Sequence, residues 1–381
     1  MKIISSITYN DAMHALCPYF AMFPPEFARD AILKHSKPGD LVIDPFSGRG
    51  TTLLEARILG RAAIANDINP VAFAITQAKT RPIKLATCLK YIEKLEKEFE
   101  SADKNSIREE ASRLPLFFRH AYYSKTLLQI LWLRNRLKKE QTKEGLFIKT
   151  LCLSYLHGET QKTKKVYLSN NLPHTYCPKP GYSVRFWHKN KMKAPHIDTF
   201  SVLRDRTNFR LSNSKQHKFK SRGHCILGDV RDIDRNIKKI TSKKAALVVM
   251  SPPYLKITSY EEDQWLRLWF LGFEPFPSRG KITKDDRIAS QEKYIDFLSD
   301  TWKSLIKIMS KDGIIVCRIG QSTKDNYPLR KIIQKSIKRS NQKLSLIKES
   351  YSPFKKVRQA RMFGKKYDDS GEYDFTIKVL K

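Results

Sequence analysis

Short apolar runs alternate with segments of helical hydrophobic spacing in the first eighty positions of the chain. Runs of three or four apolar residues suit strands that are buried on both faces of a parallel sheet. Pro24 and Pro25 favour the start of a helix, because proline is well placed in a first helical turn. The pattern predicts two strands, at 41–43 and 62–65, and three helices, at 24–34, 53–59 and 70–80.

The same alternation returns in the last part of the chain. It predicts strands at 225–227, 245–250, 313–318 and 373–380, with a helix at 294–308. The last of these strands alternates apolar and polar residues, which is typical of a strand at the edge of a sheet. Apolar strands that alternate with helices indicate parallel pairing, so the predicted fold class is α/β, with one doubly wound, mostly parallel, Rossmann-like sheet.

A long insertion interrupts this alternation. Its first part contains amphipathic helical patterns, and its last part, 185–222, is basic and is predicted to be rich in turns. The stretch 167–182 contains many turn residues and is predicted to be a loop that faces a functional site. The predicted organisation is a first half-domain at 1–80, a mainly helical and basic insertion at 81–222, and a second half-domain at 223–381.

The charge of the chain indicates a polyanionic partner. There are 72 Lys and Arg against 38 Asp and Glu, a formal net charge of +34, and this excess opposes compaction unless a polyanion is bound. Nucleic acid is the first candidate. The segment 185–222 has eleven Lys or Arg and only two acids, interleaved with Phe186, Trp187, Phe200 and Phe209, on which bases could stack. The candidate DNA contacts are Arg185, Lys189, Lys191, Arg204, Arg206 and Arg210. A solvated charged face is the alternative.

Other features of the sequence favour a protein of the cytoplasm without a metal centre. No apolar stretch approaches the roughly 18 residues that a membrane-spanning helix needs, and the first residues lack an apolar signal core. The six cysteines are dispersed, without a Cys-x-x-Cys pair or a histidine at zinc-ligand spacing. We expect a reducing compartment, cysteines that act as small hydrophobic residues, and no metal site.

A glycine-containing loop follows the first predicted strand. It reads Asp44-Pro45-Phe46-Ser47-Gly48-Arg49-Gly50-Thr51-Thr52 and leads into a helix. Gly48 and Gly50 let a ligand approach the backbone, and the free N–H groups of a helix N-terminus suit a negatively charged group. Asp67 ends the next strand about twenty residues later, where nucleotide-binding sheets hold ribose hydroxyls. The incomplete three-glycine spacing disfavours a nicotinamide site, and no Gly-Lys-Ser/Thr follows for a phosphate-binding loop. A glycine turn with two buried acids is the alternative.

A second motif, Ser251-Pro252-Pro253-Tyr254, follows the apolar strand at 245–250. Ligands bind at the carboxyl ends of strands in open α/β sheets. Two consecutive prolines have no N–H, so the carbonyls of Ser251 and Pro252 can accept hydrogen bonds from a ligand. Tyr254 provides a flat face for stacking. The alternative is a strand terminator with an exposed tyrosine.

Together these motifs resemble those of the amino-group DNA methyltransferases, which transfer a methyl group from S-adenosylmethionine to an exocyclic amine of adenine or cytosine. The glycine loop is similar to the family's cofactor motif, and Ser251 to Tyr254 to its catalytic tetrapeptide, in the form associated with N4-cytosine. Phe23 and Pro24 resemble the segment that closes over the cofactor. The chain departs from the family pattern in two ways. The glycine loop has the wording of members whose catalytic motif comes first, yet here it precedes the tetrapeptide by about two hundred residues, and the long insertion precedes Gly228-Asp229 instead of following it.

The resemblance implies a class I methyltransferase fold and a set of site residues. Asp44, Gly48, Gly50 and Thr51 would surround the methionine part of the cofactor, Asp67 the ribose and Asp229 the adenine amine. The full set of implied cofactor contacts is Phe23, Pro24, Asp44, Pro45, Phe46, Gly48, Gly50, Thr51, Asp67, Asn69 and Asp229. The implied catalytic residues are Ser251, Pro252, Pro253 and Tyr254.

The expected function is methylation of the N4 amine of a flipped-out cytosine in duplex DNA, within a restriction-modification system. A cognate restriction endonuclease acting on the same site is the expected partner. The sequence leaves three alternatives open: the same reaction at adenine N6, a methyltransferase acting on RNA, and a non-catalytic DNA-binding protein that keeps the fold. Methylation at cytosine carbon 5 is disfavoured, because no cysteine nucleophile lies beside the tetrapeptide.

Overall fold

The computed structural model describes residues 11–19, 23–158, 167–172, 177, 179–214, 221–255, 260–282, 287–321, 328–353 and 371–380. The chain forms two compact units. The sheet unit comprises 21–68, 221–258 and 284–381, and the helical unit comprises 1–20, 69–220 and 259–283. The assignment of separate functions to 1–80, 81–222 and 223–381 stays a prediction.

Helices are numbered along the chain. The helices of the described residues are α1 (Pro25–His35), α2 (Thr51–Ile58), α3 (Pro70–Gln77), α4 (Leu85–Ser101), α5 (Asn105–Arg113), α6 (Leu116–Ala121), α7 (Ser124–Arg136), α8 (Lys143–Tyr155), α9 (Pro180–Lys189), α10 (Thr199–Ser212), α11 (Ile233–Lys238), α12 (Tyr260–Asp263), α13 (Trp265–Phe270), α14 (Gln291–Ile306) and α15 (Leu329–Ser340). None of these helices is both long enough and apolar enough to cross a bilayer.

The sheet unit contains a seven-stranded sheet. Its strands are β1 (Leu41–Asp44), β2 (Ala62–Asp67), β3 (Gly223–Leu227), β4 (Ala245–Met250), β5 (Met309–Gln321), β6 (Leu344–Pro353) and β7 (Gly371–Val379), in the order β3-β2-β1-β4-β5-β7-β6. β1 to β5 pair in parallel, and β7 pairs antiparallel with both β5 and β6. The predicted fold class, a doubly wound and mostly parallel sheet, is confirmed.

Two apolar layers cover the two faces of the sheet. One layer packs α1 and α2 against the sheet through Ala28, Ile32 and Leu53. The other packs α11, α14 and α15 through residues that include Leu298 and Trp302. Helices on both faces explain why the central strands read as continuous apolar runs.

The prediction that 373–380 forms an edge strand is wrong. β7 lies between β5 and β6, and β6 is an edge strand of the sheet that the apolar pattern did not reveal. The face of β7 that is buried carries Phe375, Ile377 and Val379. Apolar and polar residues alternate in β7 because the antiparallel end of the sheet has one well-covered face. Edge strands and internal strands can both have this property, so the alternation does not distinguish them.

The prediction that 185–222 is turn-rich is also wrong for its described part. α10 occupies fourteen residues of it, and α9 includes Tyr182 and extends to Lys189. The buried residues of α10 are Thr199, Phe200, Leu203, Thr207 and Leu211, at helical spacing. Two of these buried residues are threonines, and arginines lie between them, so the helical pattern of apolar residues is weak in the sequence. Residues 173–176, 178 and 215–220 of the two predicted loop stretches lie outside the described residues.

An aromatic core organises the helical unit. Phe117 contacts both Trp187 and Trp265, with ring centroids 5.5 and 4.9 Å apart, and Phe118 contacts Trp269 at 4.5 Å. These rings join α6, α9 and α13. All six cysteines are free thiols and five are buried, as expected for small hydrophobic residues.

Candidate active site

The two sequence motifs lie at the carboxyl ends of adjacent parallel strands. β1 is paired with β4, with Ile43 opposite Val248, so Asp44 and Ser251 leave the sheet at the same edge. From β1 the chain proceeds to β2 and β3 on one side and then returns to β4 on the other. This reversal is the topological switch point at which open α/β sheets bind ligands.

The glycine loop takes a conformation that requires its glycines. Gly48 has φ 50° and Gly50 has φ 75°, in the left-handed region that other residues rarely adopt. The Gly48 N–H donates to Asp67 Oδ2 at 2.8 Å, and the Ser47 N–H donates to the Asn66 carbonyl at 2.9 Å. The loop therefore folds back onto the end of β2. It leads into α2, whose N-terminus is not capped by a side chain.

Asp44 is a buried carboxyl with an unused acceptor. Its Oδ1 accepts from the Phe46 N–H at 3.1 Å, while Oδ2 has no hydrogen-bond partner among the described residues. The Thr52 hydroxyl is near the carboxyl without forming a hydrogen bond of normal geometry. Burial raises the pKa of Asp44 to about 7, and the charge of Asp67 adds to this rise. An unpaired buried acceptor is costly, so this atom suits a ligand that donates hydrogen bonds or carries positive charge.

Asn66, which the sequence motifs did not indicate as a site residue, joins the loops that follow β1 and β3. Its Nδ2 donates to the Pro45 carbonyl at 3.1 Å and to the Gly228 carbonyl at 3.0 Å. The side chain is almost completely buried. A buried asparagine at a strand end is a signal for such bridging, because its amide must find partners. Asn66 therefore holds the segments that carry Asp44 and Asp229 at one edge of the sheet.

Asp229 is held by two arginines that the sequence analysis did not identify. Arg231 binds both of its carboxylate oxygens, at 3.0 and 2.8 Å, and Arg287 Nη2 donates to Oδ2 at 3.0 Å. Burial alone would raise the pKa of Asp229, but the hydrogen bonds from Arg231 and the charge of Arg287 lower it to about 2. Asp229 is thus an ionised acceptor. The Arg287 guanidinium also lies over the Phe297 ring, 4.8 Å from its centroid, and Phe297 contacts Phe46 at 5.9 Å.

The Ser251–Tyr254 tetrapeptide is largely buried. Tyr254 is 6% exposed, so the alternative of a strand terminator with an exposed tyrosine is wrong. Ser251 Oγ donates to Tyr254 Oη at 3.2 Å, which fixes the hydroxyl ends of the two side chains against each other. Pro252 is also buried. The tetrapeptide is therefore a defined structure at the end of β4.

Arg318, on β5 of the sheet unit, is a further buried charged residue. It donates to Asp374 from Nε at 2.7 Å and from Nη2 at 2.8 Å, and its Nη1 lies 2.8 Å from Glu372 Oε2. Its guanidinium lies over the Phe27 ring of α1, 3.7 Å from the centroid. Burial lowers the pKa of Arg318, but the two carboxylates and the nearby Tyr254 raise it overall. The sequence offered no signal for this pairing across 56 residues.

The remaining predicted cofactor residues have local structural roles. Phe23 is buried and contacts Phe27 edge to face at 5.0 Å, and Pro24 precedes the first residue of α1. Thr51 is the first residue of α2. Asn69 belongs to the helical unit, where its side chain caps α3 by accepting from the Val71 N–H at 2.9 Å.

The six candidate DNA contacts separate into two groups within the helical unit. Arg185, Lys189 and Lys191 are exposed at α9 and the turn after it. The arginines of α10 are engaged by their own unit: Arg204 pairs with Glu96, Arg206 lies over the Tyr155 ring, and Arg210 donates to the Ala12 carbonyl. The prediction that bases could stack on Trp187 and Phe200 is wrong, because both rings are 1% exposed and belong to the core.

The described residues contain no group of three His, Cys, Asp or Glu side chains that could hold a metal ion. The polar groups at the strand ends are carboxylates, which accept hydrogen bonds, and backbone N–H groups, which donate them. Such a set can bind the amine, hydroxyl and carboxylate groups of an organic ligand.

Comparisons with known proteins agree with the motifs. Residues 3–78 match the family model described as DNA methylase. The type II methyltransferase M.MjaII of Methanocaldococcus jannaschii is 28% identical over 164 residues, 42% of this chain and 29% of that protein. The type II methyltransferase M.Cfr9I of Citrobacter freundii is 42% identical over 52 residues, 14% of this chain and 17% of that protein. The matches thus span less than a third of the curated relatives' length.

Similar solved structures are methyltransferases at low overall similarity. A SAM-dependent methyltransferase from Streptococcus mutans, described as putative, is 11% identical, with TM-score 0.36 and coverage of 94% of this chain and 50% of that one. The rRNA methyltransferase aviRa from Streptomyces viridochromogenes is 11% identical, with TM-score 0.36 and coverage of 98% and 92%. The fold assignment rests on the strand order and not on these similarities. The matched segment and the curated relatives therefore show that the chain is similar to the amino-methyltransferase family.

Proposed function

We propose that this protein is an S-adenosylmethionine-dependent DNA methyltransferase that modifies the N4 amine of cytosine. The observation that carries the proposal is the juxtaposition of two motifs at the switch point of the sheet. Asp44 presents a buried, unpartnered oxygen at the end of β1, and the Ser251–Tyr254 tetrapeptide follows the adjacent strand β4. A cofactor loop beside an amine-binding tetrapeptide is the arrangement that methyl transfer to an exocyclic amine needs.

The residues at the strand ends fit S-adenosylmethionine. Asp44 Oδ2 suits the ammonium group of the methionine part, and the uncapped N-terminus of α2 suits its carboxylate. In this proposal Asp67, at the end of β2, would bind the ribose hydroxyls, and the ionised Asp229 would bind the adenine amine. The cofactor supplies a methyl group on a sulfonium, which is an electrophile that needs no metal.

The tetrapeptide accounts for activation of the amine. The lone pair of cytosine N4 is shared with the ring, so the amine is a poor nucleophile until acceptors favour a more tetrahedral nitrogen. The carbonyls of Ser251 and Pro252 are suitable acceptors, because the residues that follow them, Pro252 and Pro253, have no N–H. Tyr254, which is 6% exposed without a bound base, would stack on the base only after its ring is uncovered when the base binds. In this scheme the protein contributes positioning more than acid-base strength, and the base must flip out of the duplex.

The choice of cytosine over adenine is the finer part of the proposal. It is supported by Ser251 at the first position of the tetrapeptide, which the family resemblance associates with N4-cytosine. The same geometry could accept the N6 amine of adenine, so the labelled product must distinguish them.

The test is to incubate the purified protein with tritiated S-adenosylmethionine and duplex DNA of mixed sequence, then separate the labelled nucleosides. We expect label in N4-methyldeoxycytidine. Ser251→Ala, which removes the hydroxyl that donates to Tyr254, should reduce the label. Ser290→Ala, which removes a helix-capping hydroxyl outside the tetrapeptide, is its control and should keep the wild-type label. Label in N6-methyldeoxyadenosine would overturn the base assignment, and label only in RNA supplied in parallel would overturn the DNA substrate. Absence of transfer together with absence of cofactor binding would favour a non-catalytic DNA-binding protein.

We further propose that the modification belongs to a restriction-modification system, with a cognate endonuclease as partner. The curated relatives named as type II methyltransferases support this. Once the methylated sequence is mapped, DNA treated with this protein should resist an endonuclease that cuts that sequence, while untreated DNA is cleaved. Cleavage of fully methylated DNA would contradict it.

A further inference from the structure

Helix α9 has one face that is anchored in the helical unit and one that is exposed. Ser183 and Trp187 are buried, and the Trp187 indole N–H donates to the Asn171 carbonyl at 3.1 Å. The opposite side exposes Tyr182, Arg185 and Lys189. The spacing of three to four residues places these three side chains on the same face. The helix is thus held rigidly while its basic face remains open to solvent.

The turn after α9 extends the basic surface in a fixed direction. Lys191 has a left-handed φ of 50°. Its N–H donates to the His188 carbonyl at 3.0 Å, and the Met192 N–H donates to the Trp187 carbonyl at 2.9 Å. These bonds close the end of the helix in the manner of a left-handed C-terminal cap. Lys191 therefore follows Lys189 in a structured turn and is not part of a loose tail.

The sequence around α9 is depleted in negative charge. Residues 160–197 contain eight Lys or Arg and no Asp or Glu. The basic face of α9 therefore lacks an acid of its own segment to neutralise it. The arginines of α10, by contrast, bind Glu96, a backbone carbonyl and an aromatic ring within the unit. Within the segment 185–222, the exposed cations of α9 and its turn are therefore less engaged than the arginines of α10.

Aromatic side chains lie within this surface. The rings of Tyr182 and Phe186 are stacked at 6.4 Å, one helical turn apart, and Tyr182 is exposed. Exposed cations beside an aromatic ring match the sugar-phosphate edge and the thymine methyl groups of a DNA groove. An α-helix also fits the major groove, which is about 12 Å wide.

We propose that α9 and its C-terminal turn form the docking surface for duplex DNA, through Arg185, Lys189 and Lys191, and that the α10 arginines do not contact DNA. This inference rests on the proposed function, since it names the surface on which the DNA substrate of the methyltransferase would dock. Arg185, Lys189 and Lys191 bind backbone phosphates, and Tyr182 contacts the groove.

The test compares two variants with the same loss of charge in the full chain. One is Arg185→Gln/Lys189→Gln/Lys191→Gln. The other is Lys90→Gln/Lys94→Gln/Lys97→Gln on α4, whose three lysines are also exposed. The dissociation constant for a fluorescent duplex is measured by anisotropy between about 50 and 200 mM KCl. Equal thermal midpoints show that both variants are folded.

We expect the α9 variant to bind at least about tenfold more weakly, with the slope of log affinity against log salt reduced by about three. The α4 variant should keep the wild-type slope. Tyr182→Ala should weaken binding without changing the slope. Equal losses in the two triple variants would overturn the inference, since they would show a general charge effect.

Two further results separate this inference from the proposed function. If wild-type protein methylates DNA and the α9 variant binds and methylates it normally, the docking surface is wrong and the function stands. The opposite result is also informative. If the wild-type protein binds DNA without transferring a methyl group, and the α9 variant loses that binding, the docking surface stands and the proposed function fails. Preference for an RNA hairpin of matching sequence over the duplex would overturn the DNA assignment of the surface.

Discussion

At the scale of single residues, the site depends on buried charges whose states are set by their neighbours. Asp44 is buried without an opposite charge, which raises its pKa to about 7. Asp229 is also partly buried, but Arg231 and Arg287 lower its pKa to about 2. Two carboxylates at the same edge of the sheet are thus prepared for different partners. The Asp44 carboxyl is therefore partly protonated near neutral pH, whereas the Asp229 carboxylate is ionised.

The pH dependence of Asp44 follows from the direction of its shift. The folded carboxyl has a higher pKa than the unfolded one, so its contribution to stability declines as pH rises from about 4 to 7, by a few kcal/mol at most. A bound ammonium group favours the ionised form. Cofactor affinity should therefore increase about tenfold from pH 6 to pH 8.

Calorimetry with S-adenosylhomocysteine at pH 6, 7 and 8 measures this increase. Asp44→Asn should bind weakly with little pH dependence, and its unligated form should lose less stability between pH 5 and 7. Asp30→Asn, at an exposed position of α1, is the matched control and should behave as wild type. A wild-type affinity that falls as pH rises would contradict the role of Asp44.

Arg318 gives a second prediction at this scale. Arg318→Gln leaves Asp374 and Glu372 without their counter-charge, and breaking a buried ion pair in this way costs about 3–5 kcal/mol. The free energy of unfolding from urea titration should fall by that order. Adding Asp374→Asn and Glu372→Gln should recover most of the loss, because the buried charges are then removed together. A triple variant less stable than Arg318→Gln would contradict the ion-pair explanation.

At the scale of elements, two phenylalanines of one helix can differ in burial although the composition of the segment gives no reason to separate them. Phe200 and Phe209 both lie in α10, within the basic segment 185–222. Phe200 is 1% exposed and contacts Phe99 and Trp132, whereas Phe209 is 51% exposed. An aromatic ring among lysines and arginines can therefore belong either to the core or to the surface.

This difference should appear in unfolding experiments. Phe200→Ala should destabilise the protein by about 3–5 kcal/mol, because it removes a large buried ring. Phe209→Ala should change the free energy of unfolding by about 0.5 kcal/mol or less. Chemical denaturation of the two variants provides the comparison. Similar losses in both would mean that α10 packs through a different face.

At the scale of the whole molecule, the net charge of +34 acts against the folded state. Most of the described ion pairs are between partly or fully exposed groups and contribute little. The free protein should therefore be stabilised by salt, because screening weakens repulsion among its cations.

Raising NaCl from low to moderate concentration should increase the thermal midpoint of the protein alone and weaken its binding to DNA. Differential scanning fluorimetry and anisotropy on the same preparations measure both effects. An uncharged osmolyte at matched osmolality is the control for solvent effects. A midpoint that falls with added salt would show that ion pairs outweigh the repulsion.

The sequence by itself determined the parts that depend on local conformation and burial. The apolar runs predicted β1, β2 and β4, because strands covered on both faces consist mostly of apolar residues. The glycines at 48 and 50 predicted the loop, because only glycine adopts its left-handed angles easily. Ser251 to Tyr254 were placed correctly at a strand end, since the preceding apolar run fixes where the strand stops.

Only the tertiary structure decided which distant residues meet. The internal position of β7, the binding of Asp229 by Arg287 and that of Arg318 by Asp374 join segments far apart in the chain. The same holds for the charges of the insertion, where Arg204 is neutralised by Glu96 while the basic face of α9 is left open. The hydrophobic period and the residue types of a segment describe only that segment. Pairing and exposure depend on what packs against it, and that information is distributed over the whole fold.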